Sequence, residues 1–137
     1  MKMKTKDFFK IIVLSVVIFA SSCKQDENTN FDSIEGNWSC NENSSEYGTQ
    51  QYDVKITRDS QDTTKYYFDN FYNLGYGNKA YVFLDEYSVT IPTQIVDGQT
   101  LNGTGDVSES YKSISLTYTA DDGGGISDNI TATYTLQ

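Results

Sequence analysis

The chain has no histidine, one proline and one tryptophan. Arg58 is its single arginine. Without histidine there is no Ser-His-Asp or Cys-His nucleophile and no histidine-based zinc site. There is no Gly-x-x-x-x-Gly-Lys loop and no strand-borne Gly-x-Gly-x-x-Gly, so no phosphate cradle is encoded, and Gly123 to Gly125 reads as a hairpin tip. There are two cysteines, Cys23 and Cys40, a count that in an exported protein normally suggests one disulfide unless one sulfur is otherwise used. Positive charge is scarce too. Beyond residue 22 the chain carries six basic and eighteen acidic residues, a formal charge of −12. Such a surface repels nucleic acid phosphates and anionic lipid, which makes both poor candidates as partners.

The basic charge that is present gathers at the start. MKMKTKDFFK holds Lys2, Lys4, Lys6 and Lys10 against Asp7, and residues 11–20 form an apolar run broken only by Ser15. A basic stretch, a short apolar stretch and then small residues make a secretory signal peptide. The run is too short to span a bilayer, which takes about 20 apolar residues. Ala20-Ser21-Ser22-Cys23 resembles the lipobox of bacterial lipoproteins, whose cysteine becomes the N-terminus and carries a diacylglycerol. Lys24-Gln25-Asp26-Glu27 resembles the acidic export tag of Bacteroidota-type surface lipoproteins.

These resemblances imply a signal peptide over 1–22, lipidation at Cys23, an acidic tether over 23–34 and one domain over 35–137. They place the protein in the outer membrane, surface-exposed, with a periplasm-facing orientation as the alternative. Outer-membrane lipid is then a partner through the acylated Cys23. Cys40 is left alone and reads as a small buried hydrophobe of the first strand.

From residue 35 onward the pattern has the period of strands. Expected strands lie near 36–42, 50–58, 65–71, 79–85, 87–92, 100–108, 113–120 and 130–137. Tyr52, Val54 and Ile56 alternate with Gln51, Asp53 and Lys55; Ile114, Leu116 and Tyr118 alternate with Ser and Thr; Ile130, Ala132, Tyr134 and Leu136 alternate with Thr131, Thr133 and Thr135. One apolar and one polar face mark antiparallel strands wet on one side. Asp97-Gly98 reads as a tight hairpin turn, and Pro92 as a strand end. A final hairpin centred on Ile126 would pair Tyr118 with Tyr134 and Leu116 with Leu136. Short strands at this spacing predict an all-β, antiparallel, eight-stranded barrel, with a β-sandwich as the alternative.

Gly36-Asn37-Trp38 opens the first of these strands and resembles the Gly-x-Trp signature of lipocalins and the wider calycin group, whose tryptophan closes one barrel end. The layout also resembles small calycin-like domains of Bacteroidota-type lipoproteins, in the NFYNLG stretch (70–75), IPTQ (91–94) and GTG (103–105). The resemblance implies a lipocalin-like barrel with Trp38 buried near one end.

Tyrosine and phenylalanine crowd residues 66–87, mostly as core material. Tyr72 and Tyr76 flank a turn and are the candidate ligand or partner contacts. No catalytic residue, cofactor or metal site is legible. Asp85 and Glu86 are adjacent and point apart if extended, and Asp121, Asp122 and Asp128 lack a calcium-loop spacing. The expected function is a non-enzymatic binding or accessory module for a small apolar ligand, a glycan or a partner protein. A carboxylate-dependent glycan hydrolase is the alternative. Inward-facing Ala132 favours a packed interior over a roomy one.

Overall fold

The computed structural model describes residues 33–137. The expected signal peptide, Cys23 and the expected tether up to residue 32 lie outside the described residues. Eight strands follow in order: β1 (Gly36–Ser44), β2 (Gly48–Arg58), β3 (Lys65–Asp69), β4 (Lys79–Asp85), β5 (Ser88–Val96), β6 (Gln99–Val107), β7 (Ser113–Asp121) and β8 (Ser127–Leu136). Each pairs antiparallel with the next, and β8 pairs with β1, so the sheet closes as a barrel rather than splitting into a sandwich. Closure leaves no open edge to template aggregation.

The alternation read from sequence sets which face turns inward. Tyr52, Val54 and Ile56 of β2, Ile114, Leu116 and Tyr118 of β7, and Ile130, Ala132 and Tyr134 of β8 are buried. Trp38, Tyr66, Phe68 and Phe71 join them at 1% exposure or less, so bulky rings occupy the barrel interior. Cys40 is among the buried residues of β1, as a free thiol.

Curvature comes from two devices. Gly103 and Gly105 face inward on β6, opposite Tyr118 and Leu116 of β7. A Cβ at Gly105 would lie 2.1 Å from the Ser115 carbonyl oxygen, and one at Gly103 would lie 2.4 Å from that of Thr117. The backbone of β7 takes up the space that side chains there would need. In β5 the register shifts between Ile91 and Gln94. Pro92 therefore sits at a bulge inside a longer strand, not at a strand end as the sequence suggested; a bulge tolerates its missing N–H just as well. The buried Gln94 amide repairs the ladder there, accepting from Tyr81 N–H (2.8 Å) and donating to the carbonyls of Tyr81 (2.7 Å) and Pro92 (3.1 Å).

Two further expectations need correction. β3 ends at Asp69, and Phe71 leaves the strand in a short turn (Phe71–Asn73) that drives its ring into the barrel end. The β7–β8 hairpin centres on Gly124, so Tyr118 faces Ile130, Leu116 faces Ala132 and Tyr134 faces Ile114. The left-handed Gly123 (φ 83°) and Gly125 (φ 93°) make the tighter turn, and Asp121 and Asp122 accept the Gly123 and Gly124 amides, each at 2.7 Å. The register stays in phase, so the same residues still face inward.

The barrel has two unlike ends. At one, Ile34 and Trp38 are fully buried, and Trp38 Nε1 donates to the Ile34 carbonyl at 3.0 Å. Ile34, assigned to the tether from sequence, thus belongs to the core. The last strand finishes at this end, where Gln137 N–H donates to Asn37 O at 3.0 Å. Trp38 fluorescence is expected to be that of a shielded indole and to shift red on unfolding; native emission at the wavelength of a hydrated indole would contradict this packing.

Candidate functional site

The opposite end is a mouth built by the β1–β2 turn, residues 70–78, the Asp97-Gly98 turn and the β7–β8 turn. Asp97 (φ 48°) and Gly98 (φ 80°) form the expected tight connection. The 70–78 segment folds over the opening. Asn70 fixes its base: its N–H reaches Asn78 O (3.1 Å), its side-chain amide donates to Asp53 O (2.8 Å) and its Oδ1 accepts from Gly75 N–H (2.7 Å). Asn70, Tyr72 and Asn73 all take left-handed backbone, at φ 70°, 55° and 54°. For an aromatic residue that conformation costs on the order of 1–2 kcal/mol.

The strained Tyr72 has a defined target. Its hydroxyl donates to Asp128 Oδ2 at 2.7 Å, and its ring stands edge-on to Tyr118, with centroids 6.2 Å apart. Asp128 is buried, being in phase with Ile130 on the inward face of β8. It also accepts from Ser44 Oγ (2.5 Å), Ser45 Oγ (2.9 Å) and Glu46 N–H (3.1 Å). Burial pushes its carboxyl up, but the bonds from Ser44, Tyr72, Ser45 and Glu46 outweigh that and hold it below the ordinary range. Asp128 is therefore an ionised, hydrogen-bonded acid at the floor of the mouth.

Deeper in lies a second acid. Glu42 is fully buried on β1, and its Oε2 accepts from the hydroxyls of Tyr52 (2.5 Å) and Tyr118. Among the described residues its Oε1 has no hydrogen-bond partner, and the Tyr134 hydroxyl lies against the Cys40 thiol. Burial raises the Glu42 pKa, the bonds from Tyr118 and Tyr52 oppose this, and Asp128 adds to the rise. Burial likewise pushes the Cys40 thiol up to about 12, so it carries no thiolate chemistry at neutral pH.

Two depressions that share Tyr47, Tyr72 and Gln99 open at the mouth. One, of about 210 Å³, is lined by Glu46, Tyr47, Tyr72, Gln99, Asp122, Ile126 and Asp128 among others. The other, of about 280 Å³, is lined by Tyr47, Gln50, Tyr72, Asn73, Leu74 and Gln99. The Tyr47 and Tyr72 rings lie 6.4 Å apart, inclined at 59°. Tyr47 is 68% exposed. On the outer wall a wide depression over β1, β2, β7 and β8 is lined mainly by Ser, Thr, Asn and Gln, with Leu116 and Ala132, and its lining holds no ionisable group.

Tyr72 thus lies in the mouth, while Tyr76 is an exposed rim residue whose hydroxyl is 3.4 Å from Asp53 O. Gly36 and Trp38 lie at the far end, and Cys23 is outside the described residues. Sequence reading missed Glu42, Tyr47 and the pairing of Asp128 with Tyr72. Glu42 had a signal, since it shares the inward parity of Trp38 and Cys40. Asp121 and Asp122 bind their own turn amides while Asp128 turns inward, and among the described residues the three acids form no metal-holding cluster, although Asp122 and Asp128 line one depression.

No family model matches the chain, and no curated protein matches it. Among solved structures it is similar to a redesigned β-barrel, with a TM-score of 0.53 and 12% identity over 76% of this chain and 91% of that one. At that identity the likeness concerns the fold alone.

Proposed function

We propose that this chain is a lipid-anchored envelope lipoprotein, displayed on the outer-membrane surface through Cys23, whose barrel is a non-enzymatic binding module. One observation carries the binding role. The polypeptide enters the barrel at the Trp38 end, and the aromatic, acid-floored mouth opens at the other. A tether leading from Cys23 to Ile34 therefore presents the mouth away from the bilayer. Burial of Trp38 at the entry end supports the lipocalin-like resemblance. The filled interior argues against carriage of a ligand inside the barrel and for recognition at the mouth.

The hydrolase alternative has one feature in its favour, two acids whose pKa values are pushed apart. Glu42 is nevertheless sealed at 0% exposure, and an acid must reach hydrogen-bond distance of its substrate. Tyr76 and the exposed Ile126 would extend the contact surface beyond Tyr47 and Tyr72. The test combines fatty-acid labelling with protease shaving of intact cells. Wild type should be labelled and shaved, and Cys23→Ala should be neither labelled nor retained by membranes. An unlabelled chain that fractionates with soluble proteins would refute the anchor, and complete protease protection would refute surface display.

A further inference from the structure

We propose that the mouth binds a small organic ammonium ligand, seated between the rings of Tyr47 and Tyr72 above the Asp128 carboxylate. This rests on the binding-module reading and names its ligand chemistry.

The walls come first. Two tyrosine rings 6.4 Å apart and inclined at 59° offer two π-faces to one group, and a cation over an aromatic face is attracted by the ring quadrupole. Tyr47 supplies the accessible face and Tyr72 the half-buried one, held in place by its bond to Asp128. That placement is kept despite a left-handed backbone, and strain retained in this way is a mark of functional positions.

Charge decides between ligand classes. Glu46, Asp122 and Asp128 line the smaller depression, and neither depression has a lysine or arginine in its lining. The Asp128 charge is dispersed by four hydrogen bonds but is not neutralised by a cation in that lining. An anionic ligand would meet uncompensated repulsion. A neutral apolar ligand would leave a buried charge beside it without benefit. A cation gains from rings and carboxylates together, and the acidity of the whole folded part steers it inward. Depressions of about 210 and 280 Å³ are below the usual 300–1,000 Å³ of drug-sized sites, so the group is small.

The test is a titration of the full chain in detergent by amide NMR, with four probes. These are choline, its neutral isostere 3,3-dimethylbutan-1-ol, N-acetyl-lysine amide as a primary ammonium, and a neutral oligosaccharide. Choline or the lysine derivative should saturably shift the amides of Tyr47, Tyr72 and Gln99, and whichever does so more tightly tells quaternary from primary ammonium. The isostere should leave those amides in place. Tyr47→Ala should weaken binding about fivefold while Tyr47→Phe preserves it, and Glu46→Gln with Asp122→Asn should weaken it and flatten its salt dependence. All four changes are at exposed positions, so folding is retained. Equal shifts from choline and its isostere overturn the ammonium assignment. Saturable binding of the oligosaccharide alone also overturns it and leaves the binding module standing. Silence from all four probes counts against both.

Discussion

Gly105→Ala should destabilise the barrel by about 3 kcal/mol or more, at or beyond the upper end of what overpacking usually costs. The new methyl would meet the Ser115 carbonyl oxygen at 2.1 Å and Leu116 Cδ2 at 2.5 Å, and the first of these is backbone inside a paired strand. A flexible side chain could swing aside; a ladder carbonyl cannot without breaking the pairing of β6 with β7. Gly103→Ala should behave alike, with both its nearest contacts at 2.4 Å. Urea denaturation gives the comparison directly, with the outward-facing neighbour Thr104→Ala as a control expected to lie within about 1 kcal/mol of wild type. Midpoints for Gly105→Ala and Thr104→Ala that coincide would show that the strand accommodates a side chain there. The Gly-Thr-Gly stretch would then have no part in closing the barrel.

Replacing Glu42 by Gln should remove a pH-dependent loss of stability. Burial raises the Glu42 pKa above its ordinary 4.5, so the folded protein holds this proton more tightly than the unfolded chain. The favourable contribution is complete below 4.5 and disappears as pH rises to the folded value, at about 1.4 kcal/mol per pH unit within that window. Asp128 works in the opposite sense: its lowered pKa adds stability above the ordinary 3.8, lost as pH falls through the folded value. Glutamine keeps an acceptor for Tyr52 and Tyr118 and has no charge to bury. Stability curves of wild type and Glu42→Gln should converge near pH 4 and separate above it, the variant being the more stable, before running parallel. Curves parallel from pH 4 to pH 8 would mean that Glu42 titrates normally.

The barrel was legible because its signal is local and repeated. Tyr52, Val54 and Ile56, or Ile130, Ala132 and Tyr134, each announce an inward face with a period of two, and eight such segments leave few arrangements. Register was less legible. The β7–β8 hairpin could be centred on Gly124 or Ile126 without disturbing that parity, and the choice is made by left-handed glycines and turn carboxylates that no alternation records. The site was the least legible part. Glu42 and Asp128 are inward by parity, yet an acid in a polar sequence looks like solvated surface until the tyrosines that bond it are in place. Tyr52 and Tyr118 come from β2 and β7, far apart in the chain. Tyr72 was singled out because it flanks a turn, but its bond to Asp128 spans 56 positions, a relation only the fold supplies.

The entry of the chain beside Trp38 also sets how the protein bears mechanical load. With the anchor at Cys23 proposed above, a ligand pulled outward from the mouth would place force along the length of β1. All nine residues of that strand are in register with β2, and Trp38 to Ser44 are in register with β8 as well. The rungs on both sides are therefore loaded together in shear, instead of opening one after another like a zipper. A barrel attached through a hairpin turn would peel. Held by its first strand, this one would resist detachment with two ladders at once, nine rungs to β2 and seven to β8.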